Sequence, residues 1–290
     1  MSDDDYLWTK DGLADGATKD LEALLGQAKF KGMTFPAART TPRRKRALLF
    51  PAFALAAAAA ATLIIVLQTD GVHVVDDGSR HKLATGQWLE TGVDQRLTLE
   101  LARDIGVVEV RGDSRVRVQR VDGQQQRLEL SRGSVHAVVS APPRLFVVDT
   151  PSATAVDLGC EYELRVDGDG ASHLRVQSGR VVLEGAGLGT TVLADMWAVT
   201  PKDEAPGVAF DLNASPGFIV AVERLATDPH AVEVVTQLAG PRDAVTLWQL
   251  RERATGEVRE KLEARLETLV PRPPDGDWFE ACASLRAPRT

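Results

Sequence analysis

The sequence has little with which to do chemistry. Its five histidines, His73, His81, His136, His173 and His230, are scattered, and no H-E-x-x-H or paired metal-ligand spacing links them. No G-x-S-x-G elbow is present. Gly185-Ala186-Gly187-Leu188-Gly189 leads into Thr190-Thr191-Val192-Leu193, a strand pattern. Phosphate binding at a glycine-rich loop needs a helix N-terminus behind it, so this run reads as a hairpin loop. Asp167 and Asp169 lack the spacing and terminal Glu of an EF-hand. The expectation is no catalytic residue, no metal ligand, no cofactor site and no enzyme.

Cysteine is also scarce. Cys160 and Cys282 allow a single pairing. Either they form a disulfide, or Cys160 is a small buried side chain in a strand. Excess positive charge is absent: the chain carries −7. Up to Arg46, nine Lys/Arg stand against seven Asp/Glu, a surplus of two, so the remainder carries −9. An acidic main body argues against nucleic acid as a partner.

What the chain does have is one long apolar run. Ala47 to Leu67 contains 21 residues without a charge. As a helix it spans roughly 30 Å, the thickness of a bilayer's hydrocarbon core. Arg43, Arg44, Lys45 and Arg46 precede it, and Asp70, Asp76 and Asp77 follow. The positive-inside rule then places the N-terminus in the cytoplasm and the C-terminus outside. A signal peptide would carry an unusually long n-region here, and a buried core helix would lack a helical neighbour. The expected arrangement is a single-pass protein of the inner (cytoplasmic) membrane.

The segments on either side differ in period. In residues 1–46, Leu21, Leu24, Leu25 and Ala28 mark one apolar helix face. A lone helix of that length is marginal. Leu7, Trp8, Leu21, Leu24 and Leu25 are therefore candidates for docking into a partner; the alternative is a tail that only sets topology. From 71 to 202 the period is two, as in Leu97, Leu99 and Leu101, with turn signals about every ten residues. About a dozen strands in an all-β sandwich or roll are expected. Leu128–Val135 and Leu174–Val181 both read L-x-[LV]-x-x-G-x-V, which suggests two similar hairpins. Residues 203–215 read as a linker. Residues 216–290 return to helical spacing, with a stripe at Val258, Leu262, Leu266 and Leu269, and three or four helices followed by a short one near Trp278 are expected. The fold class is mainly β, with a short cytoplasmic helix, one transmembrane helix and a C-terminal α-helical region.

Several strings in the β region carry a resemblance. They are Thr85-Gly86-Gln87-Trp88-Leu89-Glu90-Thr91-Gly92, Arg132-Gly133-Ser134-Val135, Phe146-Val147-Val148-Asp149-Thr150-Pro151, Asp157-Leu158-Gly159-Cys160-Glu161-Tyr162-Glu163-Leu164 and Leu174 to Val181. In this order, behind a membrane span, the stretch Gly86–Lys202 resembles a FecR domain. The family usually has Gly-Thr where this chain has Gly159-Cys160. The resemblance implies a single-pass regulator whose cytoplasmic part acts on an extracytoplasmic-function sigma factor, in the manner of an anti-sigma factor. The outer part would sense an unidentified extracytoplasmic protein or ligand. Residues 1–46 are shorter than the helical bundle of better-known members, so a peptide-like contact or another partner is equally allowed. The second reading is a membrane-anchored periplasmic binding or scaffold protein with no cytoplasmic output.

Overall fold

The computed structural model describes residues 71–274 and 277–286. The amphipathic helix, the basic cluster and the apolar run expected within 1–67 lie outside them. Among the described residues no helix is long and apolar enough to cross a membrane.

The period-two stretches become strands: β1 (His73–Asp76), β2 (Ser79–Lys82), β3 (Trp88–Glu90), β4 (Leu97–Glu100), β5 (Gly106–Val110), β6 (Arg115–Val121), β7 (Gln126–Val139) and β8 (Phe146–Asp149). They continue as β9 (Thr154–Asp157), β10 (Glu161–Val166), β11 (Ser172–Ser178), β12 (Arg180–Gly185), β13 (Leu188–Leu193), β14 (Met196–Thr200) and β15 (Phe210–Asp211). Alternation decides which face is buried. Leu97 and Leu99 point inward from β4, Leu128 and Leu130 from β7, Tyr162 and Leu164 from β10. All belong to one apolar core, and each fully buried large side chain contributes about 1.5–3 kcal/mol.

The strands form two sheets that share β7. One runs β2-β1-β4-β5-β7-β10-β11-β14-β15, the other β13-β12-β9-β8-β7-β6-β3. All neighbours are antiparallel except β7 and β8. The first half of β7 pairs with β6 and β8, the second half with β5 and β10. The change of partner falls at Gly133, whose φ is +84°.

The two copies of L-x-[LV]-x-x-G-x-V are not hairpins. In the first, Gly133 lies inside β7, where the chain leaves one sheet for the other. In the second, Gly179 alone separates β11 in the first sheet from β12 in the second. Both glycines turn a corner without reversing the chain. A β-carbon on Gly133 would collide with Ser114, and one on Gly179 would come within 2.9 Å of Cys160 Cβ. The motif therefore marks where strands cross between layers of a roll. The Gly185–Gly189 run is the expected hairpin, with Gly185 opposite Leu188.

The stretch 203–215, read as a linker, carries β15 and buries Val208, Ala209 and Phe210. Five α-helices follow: α1 (Pro216–Leu225), α2 (Val232–Leu238), α3 (Ala244–Arg253), α4 (Gly256–Leu269) and α5 (Trp278–Ser284). Ser215 caps α1, its hydroxyl accepting from Phe218 N at 3.2 Å, with Pro216 in the first turn. Leu262 and Leu266 bury the α4 stripe, and Lys261 pairs with Glu257 one turn earlier at 2.6 Å. Trp278 Nε1 donates to Val270 O at 3.1 Å, folding α5 back on α4's end.

These helices cap the β roll. Gln249 of α3, nearly buried, accepts from Ala209 N and donates to Thr191 O, both at 2.7 Å. Thr246 donates to Ala209 O at 2.7 Å. One backbone carbonyl of β13, that of Thr191, is thereby satisfied by the helical cap.

Candidate functional site

One corner of the roll gathers three buried titratable groups. Asp157 ends β9, Cys160 follows the turn at Gly159, and Tyr162 lies in β10. All three are buried, Asp157 and Tyr162 completely. Gly159 N donates to Asp157 Oδ1 at 2.7 Å, and the Cys160 thiol donates to Asp157 Oδ2. Among the described residues the Tyr162 hydroxyl has no hydrogen-bond partner. Burial raises the Asp157 carboxyl above its ordinary value, and the two donors oppose that only in part. Burial, with the Asp157 bond, also holds the Cys160 thiol far above its usual range. A thiol so protonated is not a nucleophile. It is a hydrogen-bond donor, the role that a threonine hydroxyl, usual at this position in the family resembled, can also fill. The bland reading, a corner held by its own aspartate, accounts for the geometry.

The disulfide considered from the sequence is not formed. Both cysteines are free and buried: the Cys160 thiol is bonded to Asp157 inside the roll, while Cys282 lies on α5. Burial pushes the Cys282 thiol up to about 12. Both thiols are expected to react with iodoacetamide at least roughly tenfold more slowly than an unfolded control. Both should label fully on unfolding without reductant, read by mass spectrometry. A bridged pair would stay unlabelled until reduced.

A second cluster ties the C-terminus to the roll. Asp211 of β15 is buried, and its Oδ2 receives Arg286 Nη1 at 2.6 Å and Arg242 Nε at 2.9 Å. Asn213 N donates to Oδ1 at 2.7 Å. Arg286 also donates to the carbonyls of Ala194 and Asp195, each at 3.0 Å. On another face, Arg180 of β12 grips Glu280 of α5 through two bonds, at 2.7 and 3.2 Å.

The histidines do not converge. His136 faces Glu161 at 3.0 Å and His173 faces Asp167 at 2.7 Å, on different strands. Among the described residues no three His, Cys, Asp or Glu side chains cluster as metal ligands would. The docking candidates Leu7, Trp8, Leu21, Leu24 and Leu25 and the topology residues Arg43, Arg44, Lys45 and Arg46 lie outside the described residues. Sequence reasoning missed Asp211 and Arg286. Nothing in their neighbourhood along the chain announces a pair 75 residues apart.

Residues 87–182 match the family model described as FecR protein. The chain carries a FecR domain. It is narrower than the Gly86–Lys202 resemblance and covers about a third of the sequence. The FecR segment holds Gly133, Gly179 and the Asp157–Cys160 corner, but not β13 to β15 or the helices. Two crystal structures of a candidate anti-sigma factor from Parabacteroides distasonis ATCC 8503 are similar to the chain, each at 15% identity and a TM-score of 0.38. For the one at 1.65 Å resolution the match covers 48% of this chain and 65% of that one, slightly under two thirds of its length. For the one at 2.50 Å the shares are 51% and 74%. No curated protein matches the sequence significantly.

Proposed function

We propose that the chain is a FecR-like regulator anchored in the inner membrane by Ala47–Leu67. Its FecR domain faces outward, and its first 46 residues modulate an extracytoplasmic-function sigma factor. The observation that carries this reading is the order of parts: a basic cluster, an uncharged run of 21 residues, then a FecR domain at 87–182. Arg43 to Arg46 favour the cytoplasmic side. Leu21, Leu24 and Leu25, with Leu7 and Trp8, supply an apolar face that a short helix cannot bury alone. In this reading the work is binding and signalling, without chemistry.

The test is recovery of the full chain from cross-linked cells, with the partners counted by mass spectrometry. A sigma factor is expected with the native chain. It should fall at least roughly tenfold when Leu21, Leu24 and Leu25 are all replaced by alanine, as expected when apolar anchors are removed from a groove. Equal recovery from both chains would point instead to a membrane-anchored scaffold with no cytoplasmic output.

A further inference from the structure

An open pocket of about 620 Å³ lies where the helical cap meets the strand leading into β15. That size falls within the range of small-molecule sites. Its walls are mostly apolar, with Phe210, Val222, Leu225, Leu250 and Val258 among them. Two charged side chains also line it, Glu223 from α1 and Arg253 from the end of α3. Glu223 and Arg253 are both residues exposed to solvent, the Arg253 guanidinium being part-buried only where it makes its hydrogen bonds.

Arg253 is the unusual member. Its Nη1 donates to Pro206 O at 2.8 Å and its Nη2 to Thr190 Oγ1 at 2.5 Å. Thr190 in turn donates to Gly207 O at 2.8 Å. Two of the five guanidinium N–H donors are thus used, both on neutral oxygens. Among the described residues no carboxylate pairs with Arg253, and burial alone lowers its pKa. Nearby arginines differ: Arg251 pairs with Glu263, Arg180 with Glu280 and Arg286 with Asp211. A guanidinium with no carboxylate partner among the described residues, on the wall of an apolar pocket, matches a ligand with one anionic group and an apolar body.

The plain alternative is a structural tie. Arg253 ends a helix, where a cation is favoured, and its two bonds hold the 206–207 segment against β13. Residues 206–207 are an irregular segment, and this tie explains the side of the guanidinium turned to Thr190. It does not explain why a pocket of this size remains open beside it.

We propose that this pocket binds a small amphipathic carboxylate, its head on Arg253 and its apolar tail among Val222, Leu225 and Val258. The site stands whether or not the chain signals to a sigma factor.

The test is calorimetric titration of the full chain in lipid nanodiscs, with empty discs as the blank. Sodium octanoate is the probe and octan-1-ol the uncharged control. Octanoate should bind saturably, one per chain, and at least about tenfold tighter than octanol, since a charge-assisted pair is worth that much or more. Arg253→Gln should weaken octanoate at least about tenfold and leave octanol unchanged, whereas Arg253→Lys, which keeps the charge, should retain most of the affinity. Ala226→Trp, which fills the pocket, should abolish both. Intrinsic tryptophan fluorescence checks that each variant is folded. Equal affinity for octanol and octanoate would overturn the proposal. So would octanoate binding that survives Arg253→Gln. No saturable binding, together with a change of oligomeric state in Ala226→Trp, would give the pocket to a second copy of the chain and likewise overturn it.

Discussion

Replacing Asp211 with asparagine is expected to destabilise the fold by about 3–5 kcal/mol, because the Arg286 guanidinium is left buried without its counter-charge. The magnitude follows from exposure. The Asp211 side chain is 1% exposed and that of Arg286 only 6%, so water cannot replace the lost carboxylate. Arg242, the other partner, is 55% exposed. Arg242→Gln should therefore change stability by less than about 1 kcal/mol, as for other solvated pairs. The midpoint of urea unfolding at constant slope reads both. The effect has a defined pH dependence. Burial pushes the Asp211 carboxyl up, but the Asn213 amide and the two guanidiniums outweigh it and hold it below its ordinary 3.8. A carboxylate with a lowered folded pKa contributes stability that is fully present above the unfolded value and is lost as pH falls through the folded one. The native chain and Asp211→Asn should therefore differ fully near neutrality and converge as pH falls below 3.8. A constant gap across that window would show that the asparagine acts through shape.

Gly179→Ala should cost about 2–5 kcal/mol for a different reason, a left-handed backbone penalty of about 1–2 kcal/mol plus overpacking of about 1–3 kcal/mol. Gly179 has φ of +76°, and a β-carbon there would collide with the backbone oxygen of Gly159 and lie 3.0 Å from Cys160 Cα and 2.9 Å from its Cβ, at the corner tied to Asp157. Gly187 supplies the control. Its φ is also +76°, but a β-carbon there would meet nothing within 4 Å. Gly187→Ala carries only the backbone penalty of a left-handed L-residue, about 1–2 kcal/mol. The difference between the two measures the crowding where β11 passes into β12. Equal losses would mean that the corner opens to accept the methyl.

The sequence showed most of the elements and little of what joins them. Alternation in Leu97, Leu99 and Leu101 identified a strand because only one face of β4 reaches the core. The stripe at Leu262 and Leu266 identified α4 for the corresponding reason at helical spacing. These are local properties. Gly133 and Gly179 were legible as points of special backbone, but whether a chain reverses or bends onward there depends on which distant strands pair with it. Both motifs consequently read as hairpins and are corners. The break expected at 203–215 rested on Pro201 and Pro206, yet Ala209 is held by Gln249, 40 residues later. A proline-flanked segment can be buried when a remote side chain satisfies its backbone. The 87–182 segment was recognisable from short strings such as Arg132-Gly133-Ser134-Val135 and Asp157 to Leu164, whereas the Asp211–Arg286 tie lies outside that segment and left no trace in local sequence.

Because the two sheets have β7 in common, they are mechanically joined along one strand. A pull on β13 travels through β12, β9 and β8 into the first half of the same backbone that carries β5 and β10 on its second half. The layers cannot part like the halves of a shell without tearing that strand's pairing on one side. Force applied to one sheet is therefore passed to the other through the backbone of β7.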